Sequence, residues 1–346
     1  MSFLILLILN SQFLIVNCQV GGTATYSFLD LTPSSQVAAL GGKVNSIVGD
    51  DPALAFYNPG LLDFQANNNL SLNFINFFAN VNLGYVAYSR SYKNIGCFAA
   101  GIHYINYGKF IEADNAGLIL GSFTAAEYAF NLTYSRSLPW LDSTLFVGVN
   151  IKPILSMFER YTSHGLLADL GVSYRHPDKL FVAALVFRNI GGQITPYSDG
   201  GREPVPFEIQ LGFSQKLQYA PFRFSLILQH LERLQLGYNK VNLNPAPGQT
   251  IVREEDLKRG FDYILDETLR HIIVGVECLP FQGLTIRAGY NYNRRQEMKI
   301  DTRPAMVGFS WGLGIHLSRF NIDYARSIWH LAGATDHISL KIVISD

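Results

Sequence analysis

The chain carries eight histidines, three cysteines and 27 carboxylates with which to ligate a metal or move protons, and their spacing does not assemble them. No Ser-x-x-Lys, Gly-x-Ser-x-Gly, His-Glu-x-x-His or Cys-x-x-Cys occurs, and no glycine-rich phosphate loop. His103 and His316 fall inside alternating stretches and read as polar or interfacial strand residues rather than metal ligands. Asp50 and Asp51 are adjacent carboxylates that suit a cation, but beside Pro52 they suit turn and cap positions better. The Gly191–Gly192 and Gly200–Gly201 pairs read as turn formers, and the Asn131-Leu-Thr133 sequon lies within a strand. The densest charge lies at 253–258, where Arg253, Glu254, Glu255 and Lys258 are candidates for partner contact. The expectation is a non-catalytic protein with neither cofactor nor metal.

The elements that carry these residues come from composition and period. Of 346 residues only 16% are charged, against about 25% in an ordinary soluble domain. Aromatic residues make up 13% and the net charge is zero, so no basic field points to nucleic acid. Residues 1–18 read as a signal peptide, with cleavage after Cys18 preferred to lipidation of that cysteine. Cys97 and Cys278 remain, in different strands, and their spacing gives no reason to pair them. Residues 26–62 are neither strand nor regular helix, being bent by Pro33, Gly41, Gly42 and the Tyr57-Asn58-Pro59-Gly60 turn. An irregular segment ahead of membrane-length strands suggests a plug before a barrel.

From residue 70 the chain alternates with period two. Fourteen strands are expected near 70–79, 83–91, 95–106, 126–137, 144–152, 166–175, 180–188, 207–216, 222–229, 271–278, 284–293, 306–317, 320–327 and 337–344. In the twelfth, Phe309, Trp311, Leu313 and Ile315 share one face, opposite Ser310, Gly312 and Gly314. Connections after even-numbered strands are short. Most after odd-numbered strands are long: 107–125, 153–165, 189–206, 230–270, 294–305 and 328–336. Short turns on one side and long loops on the other distinguish an outer-membrane barrel from a sandwich. Within 230–270, Phe261, Ile264, Leu265 and Leu269 stand at helical spacing, which predicts a short helix packing its apolar stripe on the barrel rim. The expected fold is all-β: a 14-stranded antiparallel transmembrane β-barrel over 67–346, preceded by a hatch over 19–66.

Gly21-Gly22-Thr23-x-x-Tyr26-x-Phe28-Leu29, then Ala39-Leu40-Gly41-Gly42, Asp51-x-x-Leu54 and Asn58-Pro59, form an ordered series. Arg287-Ala-Gly289-Tyr290-Asn291 and Arg294-Arg295-Gln296-Glu297 follow late in the chain. In this order the motifs resemble the PorQ family of type IX secretion barrels in Bacteroidota, relatives of PorV and of FadL-type transporters. The chain departs from that pattern at Gly60, where relatives carry Ala, and at a C-terminus without a terminal aromatic. The resemblance implies an integral outer-membrane protein with loops at the cell surface, and a hatch built on Gly41, Gly42, Asp51, Asn58 and Pro59. It further implies an attachment complex with PorU and PorV, in which the barrel anchors PorZ beside lipopolysaccharide. The alternative reading is a FadL-like transporter of a hydrophobic solute, with a lumenal lipid as the occupant such a barrel can hold.

Overall fold

Alternation becomes a wall when each strand finds two neighbours. The computed structural model describes residues 24–78, 81–138, 142–178, 180–198, 201–237, 261–298, 306–330 and 333–344. The expected leader over 1–18, with Cys18, and the candidates Arg253, Glu254, Glu255 and Lys258 lie outside the described residues. The strands are β1 (Asn69–Asn76), β2 (Asn82–Tyr92), β3 (Gly96–Ala113), β4 (Ile119–Leu138), β5 (Asp142–Phe158), β6 (Tyr161–Arg175) and β7 (Phe181–Thr195). They continue as β8 (Glu208–Lys216), β9 (Phe222–Leu228), β10 (Ile272–Phe281), β11 (Leu284–Asn291), β12 (Phe309–His316), β13 (Phe320–His330) and β14 (Gly333–Val343). All pair antiparallel with their sequence neighbours, and β14 closes on β1 through Leu72↔Leu340, so the sheet is a 14-stranded barrel. In β12 the aromatic and aliphatic face looks outward and is about half exposed, while Ser310 and its companions face in and are buried. That apolar exterior identifies a transmembrane barrel.

The connections differ from the loop expectation at three places. Much of 107–125 is strand: β3 and β4 run on as a two-stranded ribbon whose turn is only 114–118. Likewise 153–165 closes at Glu159–Arg160, and 189–206 begins with seven more residues of β7. Backbone pairing satisfies N–H and C=O groups in water as well as in lipid, so strands need not stop at the apolar belt. The wall therefore has a hairpin end, where these ribbons project, and a turn end.

β7 holds an irregularity. Ala168 pairs with Ile190 but Leu170 with Phe187, and this bulge turns both Arg188 and Asn189 inward. Pairing of β7 with β8 stops at Arg188↔Glu208, while its pairing with β6 continues to Thr195.

Helix α1 (Ser35–Ala39) belongs to the N-terminal segment; α2 (Phe261–Arg270) and α3 (Tyr292–Met298) lie at the hairpin end. α2 forms where the spacing predicts, but its apolar stripe does not pack on the rim. Phe261 and Ile264 are 76% and 63% exposed, while Glu267 is buried and accepts from the backbone N–H of Leu236 and Gly237. Asp266 accepts from Tyr292 and Arg270 on that same side. Hydrogen-bonding demand at the rim has overridden the hydrophobic stripe.

Residues 24–68 contain no strand, only α1 and 3-10 turns at Ser27–Asp30, Pro52–Phe56, Pro59–Leu61 and Phe64–Ala66. They bond to inward-facing side chains on strands around the ring, so they lie within the lumen. Most of their apolar residues, including Leu29, Val37, Leu40, Ile47, Leu54 and Leu61, are essentially inaccessible to solvent, with Phe64 at the turn end the exposed exception. The core of this protein is inside its barrel.

Candidate functional site

Irregular backbone inside a barrel leaves N–H and C=O groups that its own turns satisfy only in part, and the wall supplies partners for others. Small inward side chains do so. Ser310 donates to Ala39 O (3.0 Å), Ser327 to Ala38 O (3.2 Å), Ser214 to Ser46 O (2.6 Å) and Ser173 to Gly60 O (2.7 Å). Each such bond is worth about 1 kcal/mol net. The segment runs from the hairpin end, where Thr25 donates to Pro204 O, to the turn end, where Asp63 pairs with Arg175 and Ser89 donates to Ala66 O.

The five motif residues all sit in this segment. Gly41 and Gly42 have φ of +98° and +94°, and a Cβ on either would come within 2.5 Å of Ile273 or Arg294. Asp51 caps the Pro52–Phe56 turn, accepting from Ala53 N at 2.9 Å. Asn58 accepts from Gly60 N and donates to Asn45 O, both at 2.8 Å, and Pro59 starts the next turn. Gly60 is explained by the wall: a Cβ there would lie 2.9 Å from Gly171 O. The five punctuate one backbone and do not converge on a pocket.

What converges instead is charge. Lys152 and Asp169 pair at 2.7 Å, both buried on adjacent strands. Lys43 of the segment pairs with Glu208 at 2.6 Å, and Arg188 donates to Leu29 O at 3.2 Å. Lys341 pairs with Asp50. Within the segment, burial pushes the Asp30 carboxyl above its ordinary value against the pull of Lys43, and burial does the same to Asp51 against the Ala53 N–H. Burial also raises the Tyr57 hydroxyl, which accepts from Ser34 N at 3.1 Å.

Two of these cations, Lys152 and Arg188, stand over one ring. Phe56 is 1% exposed and meets His103 with centroids 5.0 Å apart at 76°, and Tyr85 at 5.4 Å. Lys152 Nζ and the Arg188 guanidinium lie 5.9 and 5.5 Å from its centroid. His103 is therefore a fully buried lumenal residue, not an interfacial one, and neither ring nitrogen has a hydrogen-bond partner among the described residues. No sequence spacing joins Phe56, Tyr85, His103, Lys152 and Arg188. The one available signal was strand parity, which puts His103 on a face with Cys97, Ala99, Gly101 and Ile105. Where β7 and β8 part, a cleft of about 510 Å³ opens between Leu166, Gly191, Gly192 and Arg202–Val205.

Geometry of this kind has solved counterparts. No family model and no curated protein sequence matches the chain. The P. putida toluene transporter TodX superposes with a TM-score of 0.53 at 13% identity, over 92% of this chain and 100% of its own. The Ralstonia pickettii toluene transporter TbuX does so at 0.51 and 11%, over 92% and 99%. A Pseudomonas aeruginosa FadL homologue gives 0.48 and 12%, over 91% and 99%. The chain shares the barrel fold of TodX and TbuX. From Asn69 onward lies only about four fifths of the sequence, so the two superpositions at 92% reach back before the first strand.

Proposed function

We propose that the protein is a non-catalytic outer-membrane channel for a small hydrophobic solute, with the lumenal segment as its stopper and the hairpin end at the cell surface. The observation that carries this reading is how the segment is held. It crosses the lumen from end to end without joining the sheet, fixed at separate points by wall side chains such as Ser173, Ser214, Ser310 and Ser327. A segment meant only to fill space is more cheaply replaced by larger wall side chains. The cleft beside β7, where the wall is unpaired, and the fold shared with two toluene transporters support the same reading. The test is the initial uptake of labelled toluene by cells with an intact lipopolysaccharide leaflet, with and without the protein. A several-fold rise is expected, and equal rates overturn the reading.

A second reading, a PorQ-like surface anchor for PorZ within a complex of PorU and PorV, is favoured by one feature. On the β3–β4 ribbon Ile111, Leu118, Ile119 and Leu120 are each more than 60% exposed, and Phe110 is 42% exposed. Lys109–Ala113 is open on both faces, which lipid on one side does not cover and a protein partner does. Cutting the ribbon back to Tyr107 and Ala125 then releases PorZ from the surface and leaves toluene uptake unchanged. Retained PorZ counts against the anchor.

A further inference from the structure

The cage around Phe56 is unusual for a hydrophobic core. An apolar ring is buried well enough by aliphatic neighbours, yet here two cations stand over it and a histidine meets it edge to face. Both cations have carboxylates elsewhere, Lys152 with Asp169 at 2.7 Å and Arg188 with Glu208 at 3.9 Å, so the ring is not what neutralises them. What they supply to it is attraction to the negative π face. His103 adds an aromatic contact: its ring meets Phe56 at 76°, lies 5.3 Å from Phe28 and 6.1 Å from Tyr85, and its nitrogens have no hydrogen-bond partner among the described residues. The walls come from β2, β3, β5 and β7, whereas the ring comes from the lumenal segment.

We infer that this cage is a binding site for the aromatic ring of a solute, and that Phe56 is the resident ring that occupies it while the lumen is closed. The inference rests on the solute-channel reading and names the chemistry selected: a π face, not merely a volume. Solute and Phe56 compete for one place, so a solute ring that binds there holds the stopper out of its seat.

Toluene and methylcyclohexane share a shape and differ in the π face, which makes their uptake ratio the measurement, each corrected for cells lacking the protein. Phe56→Leu vacates the cage and raises the toluene-to-methylcyclohexane ratio, by roughly five- to thirty-fold if the full cation–π preference is realised. His103→Leu lowers the ratio below that of the unsubstituted protein. Removing an unpartnered polar group does not endanger the fold, so this variant is a fair control. Purified Phe56→Leu protein in detergent gives an independent reading: toluene raises its Tm more than methylcyclohexane does, and the added His103→Leu substitution removes the difference. Entry of both solutes at a ratio that neither substitution moves, or equal Tm shifts, overturns the cage and leaves the channel standing. Entry of neither solute in any variant overturns the channel and the cage together.

Discussion

Between β5 and β6 the wall makes fourteen successive pairings, from Leu145↔Tyr174 to Phe158↔Tyr161, without a slip of register. The segment threaded past those same strands meets them through Pro59, Gly60 and a few bonds such as Ser173 to Gly60 O. Both regions are buried and hydrogen-bonded, but the wall's cohesion repeats at every residue and the segment's is concentrated at isolated points. A repeated ladder loses little when one side chain changes. A structure hung from points loses its seat when one point fails, and the wall around it survives.

The largest test of that contrast is Asp63→Ala. It leaves the largely buried Arg175 guanidinium without its carboxylate, though Gly60 O and Leu61 O still accept from it. Breaking a buried pair costs about 3–5 kcal/mol. Amide exchange, read by mass spectrometry, should quicken across 36–66 while the β5–β6 peptides keep their protection; equal loss in both regions refutes the contrast. Next comes Gly289→Val on β11, where an added Cβ runs into the backbone of Leu40 and Gly41. Overpacking of this kind costs about 1–3 kcal/mol, and trypsin should then cut after Lys43 in a barrel that still migrates as folded without heating. An uncut Lys43 means that the wall yields instead.

The smallest effect is a pH dependence confined to the segment. Asp51 and Asp30 have carboxyls raised by burial, so their protonated forms suit the seated state better. Their contribution is complete below the ordinary carboxylate value near about 4 and is lost as pH rises through the raised values. Exchange over 52–57, corrected for intrinsic rates, should therefore be slower at pH 5 than at neutrality. Asp51→Asn, which can still cap Ala53, should flatten part of that slope; an unaltered slope assigns it wholly elsewhere.

Much of the wall was legible in the sequence because lipid and lumen impose opposite demands on alternate residues. Phe309, Trp311, Leu313 and Ile315 declare their face without help from any other strand. Where that contrast ends, legibility ends: along Lys109–Ala113 both faces are exposed, so nothing in the pattern marks the ribbon as strand. On α2 the stripe of Phe261, Ile264 and Leu265 gave the helix but not its orientation, because Glu267 and Asp266 are held by Leu236, Gly237 and Tyr292, which sequence does not place beside them. The bends at Gly41, Gly42 and Asn58 were readable as local chemistry. The Phe56 cage was not, since its members come from four strands and a turn and meet only once the barrel exists.

That dependence bears on the order in which the molecule is made. Ser35 and Ala39 bond to Ser339 of β14 and Ser310 of β12, among the last strands of the chain, while Asn58–Gly60 nest against β5 and β6. The residues nearest the start thus have no complete docking surface until the end of the chain has closed on β1. Their docking surface is incomplete while some 270 later residues are laid down, and among the described residues before β1 no helix is longer than five residues. A region that emerges first and settles last is the one a chaperone would have to shield.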